Sequence, residues 1–320
     1  MQEKNAVASI HPTSKSTKAV LWKKAIKWPL YSVAVMPVLI AAAWKTYAGE
    51  VIRINQLVGF LTASILLLIW ENLTNDLFDA DTGVDEFKFH SVVALTGNKR
   101  LIRTLAYLVL LIGLILMLIL AFNSNTKVFF LVFGCCILGY LYQGPPFRLG
   151  YKGLGELLCF FAFGPLATAA ALLVLSSNIE SAATVPWKTA FTLGSGPALA
   201  TTLVLFCSHF HQVVEDAANG KKTLLVRIGT KNAAGLIPWF ILITLTLELL
   251  PIIHGDWPIT TLLSYICLPS GIALINLLTK HHNNPSLISE SKFLALRFQT
   301  LNGLGLSIGL IILPILLNWI

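Results

Sequence analysis

Apolar stretches about as long as a bilayer is thick recur along this chain from residue 28 to its end. A helix rises ~1.5 Å per residue, so about twenty apolar residues cross a ~30 Å hydrocarbon layer. Backbone in lipid has no water to bond, which leaves helices or a closed barrel as the only spanning structures. The runs here, such as LVGFLTASILLLIW (57–70), are continuously apolar instead of alternating, so helices are expected. Of the 320 residues, 56% are hydrophobic and only 12% charged, too few charges to clothe a soluble domain. The expected fold is an all-α integral membrane protein, a bundle of about nine transmembrane helices. The spans are placed near 28–48, 54–77, 101–122, 128–143, 155–175, 187–214, 233–253, 259–279 and 300–319.

Residues 1–27 are read as a basic, flexible N-terminal segment and 28–320 as one intramembrane domain. The N-terminal segment has neither the apolar core nor the cleavage site of a secretory signal. It also lacks arginine, which counts against an organelle transit peptide; whether it is processed is left open. The five cysteines all lie in apolar runs without a CxxC spacing and read as small buried hydrophobes.

Charge fixes the orientation. Nineteen of 23 Lys and Arg fall in the N-terminal segment and the connections after the even-numbered spans; the remainder are Lys45, Arg53, Lys127 and Lys188. That asymmetry places the N-terminus on the cytoplasmic side, or its organellar equivalent, and the C-terminus opposite. Eleven of fifteen carboxylates share the cation-rich side, all but Glu50, Glu180, Glu248 and Asp256. Both signs of charge crowded at one membrane face fit a site that binds a polyanion through metal ions and basic residues.

Two acidic segments carry that expectation. At the end of the second span, NLTNDLFDADTGVD (72–85) places Asn72, Asn75, Asp76 and Asp79 at i, i+3, i+4 and i+7, on one helix face, with Asp81 and Asp85 around Gly83, where the helix can break. Carboxylates so crowded resist ionising together, and a bound hard cation relieves the conflict. All-oxygen ligands select Mg²⁺, which typically shares a few carboxylates with a substrate phosphate. At the end of the sixth span, SHFHQVVEDAANGKKTLLVRIGT (208–230) places His209, Gln212 and Asp216 at i, i+3 and i+7, with Glu215 between faces and a helix stop at Asn219–Gly220. Polar residues inside a membrane helix are costly and usually face a polar cavity. A third stretch, YLYQGPPFRLGYKGLGE (140–156), offers Tyr142, Arg148, Tyr151, Lys152 and Glu156 on a Pro/Gly-rich turn; its Arg and Lys suit phosphate oxygens.

NDLFDADTGVD resembles the first Asp-rich motif of the UbiA-type intramembrane prenyltransferases, NDxxDxxxD. Asn75, Asp76 and Asp79 match, whereas Gly83 replaces the last Asp and Asp85 follows. That variant, with GKKTLLVRIG (220–229), YQGPPFRLGYKGLGE and SHFHQV, resembles the 1,4-dihydroxy-2-naphthoate phytyl/prenyltransferase branch of cyanobacteria and plastids. The likeness covers essentially the whole chain. It implies an active-site cavity opening at the cytoplasmic face, Mg²⁺ as cofactor, and transfer of a prenyl, expected phytyl, group from its diphosphate to 1,4-dihydroxy-2-naphthoate. Diphosphate and CO₂ would be lost, as a step in phylloquinone or menaquinone biosynthesis, in an inner, plasma or thylakoid membrane. No nucleic acid partner is expected.

The residues assigned on this basis are Asp76, Asp79, Asp85, Gln212 and Asp216 to metal, and Asn72, Asn75, Tyr142, Arg148, Tyr151, Lys152, Lys221 and Arg227 to substrate. Asp76, Asp79 and Asp216 are also catalytic candidates through the metal they hold, and so are Glu215, His209 and His211, which would orient or deprotonate the acceptor; each His is equally suited to a structural hydrogen bond. Gln212 departs from the family's second motif, which supplies Asp there, keeping the oxygen but not the charge. Two rivals stay open: a family member acting on homogentisate, 4-hydroxybenzoate or a chlorophyllide, and a non-enzymatic transporter or lipid-binding protein. The transporter class usually shows repeat halves and broken mid-membrane helices, whereas the charges here sit at helix ends. Tail length and saturation are not legible.

Overall fold

A computed structural model describes residues 15–83, 91–177 and 184–317. Among those residues helices are the only regular secondary structure. The segment expected to be flexible through residue 27 is helical as α1 (Lys15–Ile26). Lys27, in the left-handed conformation (φ 51°, ψ 38°), turns the chain through a short 3₁₀ segment, Trp28–Tyr31, into α2 (Ser32–Tyr47). The long α3 (Ile54–Thr82) runs on past the expected end of its span and stops where Gly83 takes φ 80°. A five-residue α4 (Val92–Thr96), capped by Ser91 Oγ, leads to α5 (Lys99–Phe122), capped by Asn98 Oδ1, and then α6 (Lys127–Gln143).

The fifth span comes in pieces. α7 (Gly155–Phe161) passes through a π-helical turn, Ala162–Leu166, into α8 (Ala167–Val174). Pro165 supplies no N–H to the ladder, and Gly164 (φ −108°, ψ −108°) sits against Ala198, where a side chain would not fit. Then come α9 (Trp187–Phe210), α10 (Val213–Ala218) and α11 (Leu224–Ile253), the last bent at Gly229. A 3₁₀ stretch, Ile259–Cys267, feeds α12 (Leu268–His281), and α13 (Ser291–Leu317) closes the bundle.

Among the described residues, eight helical units are long and apolar enough to cross a bilayer, and α6, at 17 residues, is the shorter ninth. The protein is an integral membrane protein. With no hydrophobic drive between helices in lipid, small residues permit close approach. Gly305 and Gly309 on α13 spell GxxxG, and a Cβ on either would collide with backbone at Thr260–Ser264. The apolar interior forms two clusters, one around α2, α3, α5, α6 and α8, the other around α9, α11, α12 and α13.

Cross-connections sort the loops into two ends. At one, Arg53 donates to the Ser176 and Ser177 carbonyls (3.3 and 3.4 Å) and Gln56 to the Asn123 carbonyl (3.0 Å). At the other, Lys222 N–H donates to the Tyr151 carbonyl (2.8 Å) and His211 meets Ser291 (3.0 Å). The cation-rich connections gather at this second end.

Two expectations are corrected. The sixth helix does not run to 214: it ends at Phe210, and the chain turns at 211–212, with Gln212 N–H bonded to the His209 carbonyl and Gln212 C=O accepting from Asp216 N–H. His211 within this turn bonds Ser291 of α13, a contact that an uninterrupted helix through 214 would have to place differently. Glu248 does not sit on the opposite face; it is buried in α11 and accepts from Asn302 Nδ2 of α13 at 3.0 Å.

Candidate functional site

The cation-rich end of α3 carries the first acidic segment as one continuous helix. Asp76 and Asp79 are 1% and 3% exposed. Asp76 Oδ2 accepts the Val92 N–H at 2.9 Å, and its Oδ1 lies 3.4 Å from Lys27 Nζ, which also reaches Asn72 Oδ1 at 3.5 Å. Asp79 Oδ1 accepts the Tyr151 hydroxyl at 2.8 Å, and the same hydroxyl lies 2.9 Å from Thr82 Oγ1. Burial and the adjacent Asp79 charge hold the Tyr151 phenol far above its ordinary range, so it stays a donor.

Tyr151 is the meeting point of three segments. Arg148, in the left-handed region (φ 44°), brings its guanidinium to 5.7 Å from the Tyr151 ring centroid. From the second acidic segment, Lys221 Nζ lies 5.1 Å from the same ring and 3.4 Å from Asp216 Oδ1. Asp216 and Lys221 are both buried. Burial raises the Asp216 carboxyl above the usual aspartate value, and Lys221 opposes the rise. The structure therefore gathers Asp79, Thr82, Arg148, Tyr151, Asp216 and Lys221 at one place, beside Asp76, Asn72 and Lys27.

Other expected residues are placed differently. Arg227 spends its guanidinium on the carbonyls of Lys152 (2.9 Å) and Lys222 (3.1 Å), tying two loops, and Lys152 itself is exposed. His211 turns to Ser291 on α13; burial lowers its imidazole below the ordinary value, with Lys292 adding to the effect. Glu215 and Gln212 are half-buried around the α9–α10 turn. His209 is buried with Nδ1 3.2 Å from Glu156 Oε1 and Nε2 3.4 Å from the Tyr142 hydroxyl. Asp85 lies outside the described residues.

Below the polar cluster, between α2, α3, α6, α7 and α9, opens a cavity of about 1380 Å³, including the part open to solvent. Asn72 and Asn75 line its polar end, and Phe60, Leu67 and Leu68 its apolar depth. Its three charged contributors, Lys27, Lys292 and Glu71, have no site role in the sequence reading. Lys27 and Lys292 were hidden among many basic residues on the cation-rich side. Glu71 precedes the acidic motif and matches none of its positions.

Whether these residues fit a divalent cation is a question of unpaired donors. Both Asp216 carboxylate oxygens are buried without a hydrogen bond, leaving only the Lys221 ammonium; Asn75 Oδ1 is likewise buried and unbonded. Among the described residues, no three His, Cys, Asp or Glu side chains converge on one point. A Mg²⁺ that takes one or two carboxylates and completes its shell with phosphate and water needs no such cage. The donor set fits.

The UbiA prenyltransferase family profile matches residues 34–297. The chain is 36% identical to the 2-carboxy-1,4-naphthoquinone phytyltransferase of Synechocystis sp., over 93% of this chain and 95% of that one. It is 36% identical to the chloroplastic enzyme of that name from Arabidopsis thaliana, over 95% and 80%. Against the 1,4-dihydroxy-2-naphthoate octaprenyltransferase of Mycobacterium tuberculosis the identity is 29%, over 64% and 68%. Among solved structures, a digeranylgeranylglyceryl phosphate synthase superposes with TM-score 0.60 at 18% identity, covering 92% of this chain and 98% of that one. A UbiA homolog from Archaeoglobus fulgidus bound to GPP and Mg²⁺ gives 0.56 at 15%, covering 91% and 99%. At those identities the structures establish a shared fold.

Proposed function

The chain belongs to the UbiA prenyltransferase family, and on that premise we propose that it transfers a phytyl group from phytyl diphosphate to 1,4-dihydroxy-2-naphthoate, releasing diphosphate and CO₂. The observation that carries the reading is the stacking of the site. Three buried aspartates, Asp76, Asp79 and Asp216, stand with Lys27, Lys221 and Arg148, and Lys27, bonded to Asp76 and Asn72, joins this cluster to the polar end of an apolar cavity.

Each part has a task. Asp76, Asp79 and Asp216, with Asp85 and Gln212, would hold Mg²⁺. The cation, when bound, neutralises the diphosphate so that it can depart. Lys27, Lys221 and Arg148 add fixed positive charge beside it. Tyr151 donates to Asp79 and keeps that carboxylate in place. Phe60, Leu67 and Leu68 in the depth of the cavity suit an isoprenoid tail, each buried CH₂ contributing ~0.8 kcal/mol. Trp70 and Tyr142 supply aromatic faces to the electron-poor allylic carbon, and desolvated cation–π contacts contribute roughly 2 kcal/mol. Lys152, Arg227 and His211 are supporting residues in this scheme.

The relatives' names differ in the acceptor's oxidation state, a quinone in two and a dihydroxy form in the third. Alkylation by an allylic electrophile requires an electron-rich ring, which favours the dihydroxy form. The cation-rich end, with the N-terminus, faces the cytoplasm or stroma, supported by the distribution of Lys and Arg.

The test is prenyl transfer by the protein in membranes with Mg²⁺, oxidised or reduced naphthoate, homogentisate or 4-hydroxybenzoate, and prenyl diphosphates of several lengths, with products identified by mass. The reduced naphthoate with phytyl diphosphate should give the highest kcat/KM. A higher value for homogentisate would overturn the reading.

A further inference from the structure

One face of α3 forms a wall of the cavity: Phe60, Ser64, Leu67, Leu68, Glu71 and Asn75 recur at helical spacing and all line it. Glu71 is the one carboxylate among the described lining residues. It sits four residues before Asn75, about 6 Å nearer the cavity's apolar depth at ~1.5 Å per residue. Its Cγ and Cδ pack over Gly139 of α6, where a Cβ would lie 3.8 and 3.7 Å away. Lys27 from the α1–α2 junction, Cys135 and Cys136 on α6, Cys159 on α7 and Tyr142 line the same cavity. Among the described residues, no side chain donates a hydrogen bond to the Glu71 carboxylate, Lys27 reaching Asn72 and Asp76 instead.

A carboxylate one turn from Leu67 and Leu68, with no hydrogen-bond donor of its own, costs desolvation energy and wants a partner. Its depth suggests one. The diphosphate belongs at the level of Asn72, Asp76 and Asp79, and the tail belongs against Leu67, Leu68 and Phe60. The allylic carbon lies between those levels, and the acceptor ring must reach that carbon. A ring hydroxyl is the group the acceptor would present there.

We propose that Glu71 is a catalytic residue that binds a ring hydroxyl of the acceptor and takes its proton as the new bond forms. This rests on the function proposed above. The O–H bond breaks, its proton goes to Glu71, and the electron pair moves through the ring so that the carboxylate-bearing carbon bonds to the allylic carbon. The allylic C–O bond breaks and its pair leaves with the diphosphate. The ring then holds a ketone adjacent to the carbon bearing the carboxylate. The bond to the carboxylate breaks, CO₂ departs, the pair returns through the ketone, and its oxygen recovers the proton from Glu71. No net proton is consumed.

The test uses the full chain in nanodiscs with Mg²⁺ and phytyl diphosphate. Glu71→Gln keeps a hydrogen-bonding group and removes the base; transfer should fall by roughly 10²–10⁴-fold, the usual worth of a positioned general base. The KM for phytyl diphosphate and the slow acceptor-independent release of diphosphate should be unchanged. Residual transfer by the variant should climb with pH as the acceptor ionises in solution. In the unmodified protein, methylating the acceptor's hydroxyls should lower transfer to the Glu71→Gln level. Unchanged transfer by Glu71→Gln, or unhindered use of the methylated acceptor, would overturn the assignment. So would a matching loss of acceptor-independent diphosphate release, which would put Glu71 at the allylic cation instead. If the unmodified protein fails to alkylate the naphthoate but alkylates another acceptor, the parent reading fails separately, and the Glu71 variant is then read with that acceptor's hydroxyl.

Discussion

Replacing Tyr151 by Phe removes one oxygen and leaves the ring beneath Arg148 and Lys221. The lost hydroxyl donates to Asp79 Oδ1 at 2.8 Å and meets Thr82 at 2.9 Å. A hydrogen bond to a charged acceptor contributes ~1.5–3 kcal/mol, and the half-buried setting favours the low end, about 1.5. That is roughly tenfold in a rate or binding ratio. Tyr151→Leu also removes the face shared by two cations, the partly exposed Arg148 contributing ~0.5–1 kcal/mol and the buried Lys221 roughly 2 kcal/mol. Its combined loss is on the order of 10³-fold. The assay is kcat/KM for the prenyl diphosphate at saturating Mg²⁺ and acceptor, with thermal unfolding run alongside. The expected series is parent, then Phe, then Leu, in two separable steps, with unfolding temperatures within a few degrees. Parent-like turnover by Tyr151→Phe would show that the hydroxyl does not position Asp79. Equal losses in both variants would show that the ring's contacts with Arg148 and Lys221 carry no function.

Asp76→Asn and Asp79→Asn should each abolish turnover while leaving membrane insertion intact, and EDTA should do the same to the parent; full activity in EDTA would remove the metal role. Gln212→Asp should lower the Mg²⁺ concentration for half-maximal rate, Gln212→Ala should raise it, and Asp216→Ala should raise it further, because hard-cation affinity follows ligand charge. If only Asp216→Ala shifts it, Gln212 is not at the metal. In a cysteine-free background, Lys222→Cys and Asp256→Cys, both exposed positions at opposite ends of the bundle, should react with an impermeant thiol reagent from opposite faces of oriented vesicles. Labelling of both from one face would refute the layout.

The features legible in advance were local ones. Hydropathy over twenty residues gave the spans, and the i, i+3, i+4, i+7 spacing of Asn72 through Asp79 needed only that α3 continue as a helix, as it does to Thr82. The Lys and Arg distribution sorted the loops into two ends, because it follows from chain order alone. Gly83 was legible as a stop for the same reason: a left-handed backbone needs no tertiary partner to favour glycine.

How each polar group spends its bonds was not local. Arg227 and Arg148 look equally suited to phosphate in the sequence, but Arg227 is committed to two carbonyls while Arg148 lies against Tyr151. The turn at Gln212 is flanked by contacts from His211 to α13 and from Lys221 to Tyr151, segments far apart in the chain. Glu248 finds Asn302 across fifty-four positions, and Glu71 becomes a cavity residue only because α6 and α7 pack opposite α3. Composition and spacing therefore determined that this chain crosses a membrane and carries its acids and cations at one end. The tertiary structure decided which of them face one another, since a charge in a low-dielectric interior is governed by its neighbours in space.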